Sequence, residues 1–199
     1  MKCSLSQKNL DMLTQYCIGN TEQFEQKDED YKNIVLSWMS DVNSSSVREL
    51  ITLNYLKYEK LEKKHGADGF DPINQRYKEV KPRSIFEGKI ASSGNFNDMT
   101  LKLIEGKKDF DVICSLFFQN RLVYIVEFPF SRIEEKIKVP VNKATLGRRV
   151  VSNFTYKDYD CDDLRIHYYD RELAGSSKCL SKKHIEMLSR RSENGCSVA

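Results

Sequence analysis

Two apolar runs, Phe110–Phe118 and Leu122–Phe128, set the strongest limit on what this chain can become. The first is broken only by Asp111 and Ser115, and Pro129 closes the second. Each is far shorter than the roughly 20 apolar residues of a membrane span. Each is also too unbroken for a strand with one wet face. They read as strands buried on both sides, the centre of a mixed sheet with both faces covered. Gln119-Asn120-Arg121 forms a tight connection between them. The covering layers must come from the flanking segments.

Upstream, Ser44-Ser45-Ser46 followed by Glu49 resembles a capping box. A helix is expected from about Val47 to Lys64, with Val47, Leu50, Ile51, Asn54, Tyr58 and Leu61 on one face and Gly66 at its end. Leu5, Leu10, Leu13 and Cys17, then Tyr31, Ile34, Val35, Trp38 and Met39, give helical spacings over residues 1–45. Asp28-Glu29-Asp30 suits the first turn of the second of these helices. This region is expected to pack over the core or at a dimer face. Next come a short strand around Phe70–Ile73, a turn at Asn74-Gln75-Arg76, and a strand from Tyr77 to Lys81 ended by Pro82. Arg83–Ile90 reads as a more exposed strand. Phe96–Glu105 reads as a short helix with Phe96, Met99, Leu103 and Ile104 as apolar contacts, stopped by Gly106. After Pro140 strands are expected over Val150–Tyr156 and Leu164–Tyr169, and a helix capped by Ser181 over Leu180–Arg190, with His184 on its surface. The fold class is α/β, a mixed β-sheet core flanked by helices. The expected organisation is one compact domain: a helical region 1–45, a core 46–130 and a C-terminal extension 131–199.

Bulk properties narrow the classes. With 199 residues, 40% hydrophobic and 31% charged, the composition is that of an ordinary globular protein. The N-terminus lacks the apolar run of a secretory signal, so an intracellular protein is expected, with no membrane partner. Six cysteines without a CxxC pair read as free thiols, Cys114 packed in a strand. The net charge of +3 permits a nucleic-acid partner without demanding one.

The chemistry-bearing residues lie in the hairpin. Gly69-Phe70-Asp71 ends one strand, and Glu79-Val80-Lys81 sits on the next. Alternation puts Glu79 and Lys81 on one face, and the hairpin is expected to bring Asp71 beside them. Two carboxylates, with the Val80 carbonyl between inward-pointing side chains, offer hard oxygen ligands for a divalent cation such as Mg²⁺. A lysine beside them stays charged. It can orient the attacking water and steady the charge on a phosphate. That combination suits hydrolysis of a phosphodiester bond.

On these residues the chain resembles the PD-(D/E)xK nuclease superfamily, through Asp71 and Glu79-x-Lys81. The order helix, hairpin, helix, strand over residues 46–130 is similar to that superfamily's core. The resemblance implies a restriction-endonuclease-like fold, catalytic Asp71, Glu79 and Lys81, and Mg²⁺ held by Asp71, Glu79 and Val80. It further implies a glutamate from the preceding helix, Glu62 or Glu59. The implied substrate is double-stranded DNA, cut at a specific sequence as type II restriction endonucleases do, often as homodimers. Asp71 and Glu79 are close in sequence, and Asp68 is the alternative first aspartate with a longer spacing. The strand-like flanks Phe70 and Ile73 favour Asp71. Lys78, Arg83 and Lys89 flank the site as candidate phosphate contacts. Asn97, with Asn95, sits at an expected helix start that can approach a phosphate or simply be capped. Arg148 and Arg149 are candidate contacts in the C-terminal part. Glu127, inside an apolar strand, either pairs with a basic residue in the core or supports the site. The competing reading is a non-catalytic nucleic-acid-binding or assembly protein with a nuclease-like fold. The discriminating feature is whether Asp71 and Glu79 face one common solvent-filled cleft less than about 5 Å apart, a spacing that suits ligands of one ion; Glu79 turned away from Asp71 would count against the enzyme.

Overall fold

The computed structural model describes residues 5–41, 45–62, 66–86, 94–144 and 150–195. Three N-terminal helices, α1 (Gln7–Cys17), α2 (Glu22–Glu25) and α3 (Glu29–Ser40), precede α4 (Ser46–Leu56). The Asp28 carboxylate caps α3, accepting from Tyr31 N–H at 2.8 Å. Strands β1 (Glu59–Lys60), β2 (Gly69–Asp71) and β3 (Arg76–Ile85) follow. Then come β4 (Gly94–Met99), α5 (Leu101–Glu105), β5 (Asp111–Phe118) and β6 (Arg121–Pro129). The C-terminal part supplies α6 (Glu134–Lys143), β7 (Val150–Phe154), α7 (Tyr156–Tyr159), β8 (Arg165–Tyr169), α8 (Arg171–Ser176) and α9 (Lys182–Gly195).

Among the described residues, six strands form one open sheet in the order β1-β2-β3-β5-β6-β8, and β4 pairs with β7 in a second. In the large sheet β3 and β5 run parallel, and the other neighbours are antiparallel. This is an α/β architecture: a mixed sheet flanked by helices. The two apolar runs form the expected central strands, with every residue of β5 buried. Gln119 and Asn120, at φ 47° and 64°, make the two-residue turn between them, the backbone that best matches the strand twist. Cys114 is a free buried thiol in β5, its pKa pushed up to about 12 by burial.

Strand alternation sends the apolar residues of β3, β5 and β6 to two separate cores. On one face Val80, Ile113 and Phe117 pack with Leu13, Phe24, Val35 and Ile51 of the N-terminal helices. On the other, Val112, Cys114 and Leu116 pack with Phe96, Ile137, Phe154 and Leu188. Residues 5–41 therefore cover the core. Each fully buried aliphatic or aromatic side chain contributes roughly 1.5–3 kcal/mol.

Four sequence expectations change. Helix α4 stops at Leu56, where Lys57 turns left-handed at φ 59°, and Tyr58 leaves the helix to donate to Glu127 at 3.0 Å. A tertiary contact overrides the helical periodicity that ran on to Leu61. Strand β3 continues through Pro82 to Ile85. Val80 N–H points away from β5 toward Asp68, so position 82 faces the same open edge and its missing N–H breaks no ladder bond. Residues 96–99 belong to a strand where the first half of a helix was expected, and the helix itself starts only at Leu101. A register shift between Phe96 and Met99, with Asp98 at φ 58°, spaces the two inward residues three apart and imitates a helical period. His184 is buried against Tyr156, rings stacked at 4.4 Å, and burial lowers its pKa to about 4.

Candidate active site

The β2–β3 hairpin sorts the carboxylates. Its register pairs Asp71 with Arg76, Phe70 with Tyr77 and Gly69 with Lys78. Directly opposed residues share a face, so Asp71 goes with Arg76 and Lys78, and Glu79 goes to the other side. One step beyond the last pair, Asp68 comes opposite Glu79. Asp68 N–H donates to Lys78 O at 2.9 Å, and Asp68 Oδ2 accepts from Val80 N–H at 2.8 Å. The acidic partner of Glu79 is thus Asp68.

Asp71 instead shapes the turn. Its Oδ1 accepts from Ile73 and Asn74 N–H at 3.0 and 3.1 Å, and its Oδ2 accepts from Asn74 Nδ2 at 2.8 Å. Burial works to raise its pKa, but these bonds and Lys78 at 3.4 Å hold it below the usual carboxylate range. Lys78, expected at a phosphate, is fully buried at the centre of a closed cluster. Its Nζ lies 2.8 Å from both Asp111 and Glu127. Arg76 holds both oxygens of Asp111 at 2.8 Å. Glu127 also meets Arg165 at 2.6 Å and His167 at 2.8 Å. Of its two expected roles, Glu127 takes the core pairing. Burial opposes its ionisation, yet His167 and Lys78 keep it strongly acidic.

The opposite face opens into a cleft of about 570 Å³, lined by Arg48, Glu49, Asp68, Glu79, Val80, Lys81, Arg83, Asn95, Asn97 and Lys107 among others. Lys81 Nζ and Lys107 Nζ each lie 2.5 Å from Glu79, one on each carboxylate oxygen. Burial alone would raise the Glu79 pKa, but these two lysines hold it low. Lys81 stays charged: Glu79 outweighs the burial, and the ammonium lies 4.5 Å over the Phe96 ring. Asp68 is different. Burial first, then the charge of Glu79, pushes its pKa up to about 6. The helical glutamate that reaches the cleft is Glu49, in the first turn of α4 and bonded to the Ser45 hydroxyl. Glu62 and Glu59 are exposed and away from it. Arg83 donates to Asn95 at 2.9 Å, and Asn95 donates to Asn97 at 3.1 Å, so two predicted contacts share the cleft wall. Lys89, Arg148 and Arg149 lie outside the described residues.

The donor set suits a hard cation: two carboxylates from opposed positions and a backbone carbonyl, all oxygen. Asp68 and Glu79 repel one another, as the raised Asp68 pKa shows, and a cation between them would relieve this. Among the described residues, however, no three acidic, histidine or cysteine side chains stand together as a ready-made cation site. A cation at Glu79 would also meet a lysine on each of its oxygens.

Glu49 and Lys107 were not legible as site residues. Glu49 carried a capping signal, and Lys107 stands in a loop far from the motif. Asp68 was legible only as the alternative with the longer spacing: the expected turn Asn74-Gln75-Arg76 pairs Asp71 with Glu79, whereas the structure turns at residues 72–75 and so pairs Asp68 with it. The chain matches no protein-family model and no curated protein. Among the described residues, no helix is long and apolar enough to cross a membrane.

Proposed function

We propose that this protein is a Mg²⁺-dependent endonuclease that hydrolyses phosphodiester bonds of double-stranded DNA at a specific sequence, on a restriction-endonuclease-like core. The observation that carries the reading is the hairpin register, which sets Asp68 opposite Glu79 in one cleft with Lys81. The order of elements adds support. The antiparallel unit β1–β2–β3 bears the motif, and after α5 the strand β5 runs parallel to β3. That is the arrangement the PD-(D/E)xK resemblance implies, with β4 as an addition.

In this reading Asp68 and Glu79 hold the cation with the Val80 carbonyl, and Glu49 acts from α4 on the same site. A bound Mg²⁺ supplies charge neutralisation at the phosphate and a more acidic water. Lys81, kept protonated by Glu79, orients that water and stabilises charge on the phosphate oxygens. Arg83 and Asn97 meet the flanking strand. Asp71 stays outside the chemistry. Each copy of a homodimer would cut one strand.

The test is cleavage of mixed-sequence plasmid DNA with Mg²⁺ or EDTA. Wild type should give discrete fragments with Mg²⁺ alone. Asp68→Asn, Glu79→Gln and Lys81→Ala should each lose at least about 10²-fold in rate. Full activity in Asp68→Asn would sink the assignment. A second reading, a non-catalytic nucleic-acid-binding protein, draws on the two lysines that occupy both Glu79 oxygens. It predicts duplex binding that is indifferent to Mg²⁺ and no cleavage.

A further inference from the structure

Lys107 belongs to no motif, yet its ammonium sits on Glu79 Oε2 at 2.5 Å while Lys81 takes Oε1 at the same distance. One lysine is enough to neutralise one carboxylate. The second adds positive charge to a cleft that already holds Arg48 and Arg83. The position of Lys107 is fixed by its surroundings. Its N–H donates to Ile104 O and its carbonyl accepts from Phe110 N–H, both at 3.0 Å. Ile104 is fully buried, which anchors the end of α5. The ammonium lies 4.8 Å over the Phe110 ring, and the side chain is 13% exposed. A rigid corner thus delivers a cation to the cleft wall facing β3.

We propose that Lys107 is a second phosphate-contacting cation of this cleft, held on Glu79 until a divalent cation and a scissile phosphate enter. The proposal rests on the hydrolase reading above. A cation at Glu79 Oε2 would compete with the Lys107 ammonium for that oxygen. The released ammonium, its stem packed on Phe110, then meets a non-bridging phosphate oxygen. It acts by charge and hydrogen bonding. Water still adds across the P–O bond, its proton going to solvent and the departing oxygen gaining one, and Lys107 remains protonated throughout.

The test compares wild type with Lys107→Met and Lys107→Arg in two assays: Mg²⁺ binding by calorimetry without nucleic acid, and plasmid cleavage kinetics. Lys107→Met should bind Mg²⁺ about tenfold tighter, because no ammonium competes. Its kcat should fall on the order of 10²-fold with KM within about threefold, and Lys107→Arg should recover much of the rate. Mg²⁺ affinity and kcat both unchanged in Lys107→Met would overturn the proposal. So would weaker Mg²⁺ binding, which would make Lys107 a prop for Glu79. If Lys107→Met does not fold by circular dichroism, Lys107→Gln replaces it with the same expected outcomes. A wild type that neither cleaves nor binds Mg²⁺ would overturn the hydrolase reading first, an outcome separable from a working enzyme indifferent to Lys107.

Discussion

The two faces of β3 hold the same ingredients and put them to opposite use. On one face Lys78 sits among Asp71, Asp111 and Glu127, with Arg76, Arg165, His167 and Tyr58 completing the bonds. Both oxygens of Asp111 and both of Glu127 are engaged, and Lys78 has no exposed surface. On the other face Lys81 sits with Glu79, Asp68 and Glu49, but the cluster lines an open cleft. Burial first, and then the charge of Glu79, raises the Asp68 pKa to about 6. A saturated polar cluster locks a sheet to its neighbours. One whose charged groups of both signs line an open cleft has room for a ligand.

The largest effect that would break this comparison lies on the closed face. Lys78→Met takes the shared cation away from three buried carboxylates and sets an apolar chain among them. It should cost about 3–5 kcal/mol in urea unfolding. A cost near zero would mean that the cluster is not load-sharing and the contrast is false.

A smaller effect sharpens it through pH. Asp68 has a raised folded pKa, so the folded state binds its proton more tightly than the unfolded state does. Its contribution is greatest at low pH and is lost as pH rises through about 4 to 6. Asp71 and Glu127 have lowered folded pKa values, so their contribution is present above about pH 4 and lost as pH falls. Asp68→Asn should therefore match wild type in unfolding free energy below pH 4 and exceed it by a margin that grows to about 1–2 kcal/mol above pH 6. A constant offset at every pH would remove Asp68 from the account. Smallest of all, Asp71→Asn should cost about 1 kcal/mol of stability, since Lys78 keeps two closer carboxylates. Its cleavage rate should stay within about threefold of wild type, and a loss like that of Asp68→Asn would return Asp71 to the site.

Much of the framework was legible in the sequence. The central strands β5 and β6 followed from unbroken apolar runs, α3 from its spacing and acidic start, and the hairpin from its turn. What misled was local pattern under tertiary control. A bulge gave β4 a helical spacing, and the pull of Glu127 on Tyr58 ended α4 early. At the candidate site, Glu79 and Lys81 were readable from alternation alone. The strand-like neighbours of Asp71 favour it over Asp68 in the sequence, but the parity of the hairpin decides the face. Glu49 and Lys107 reach the cleft through packing of α4 and α5, which no local pattern encodes.

The four residues Pro72-Ile73-Asn74-Gln75 between Asp71 and Arg76 act as a ruler. Pairing across the hairpin depends on that length. Insertion or deletion of a single residue there would shift the register by one step, bring Ala67 or Gly69 opposite Glu79 and turn Asp68 to the other face. A loop at the surface, exposed and remote from the cleft, is therefore held to a fixed length by the chemistry on the far side of the strand. Among homologous chains that keep this pairing, length changes at this turn should come in twos, while other surface loops vary freely.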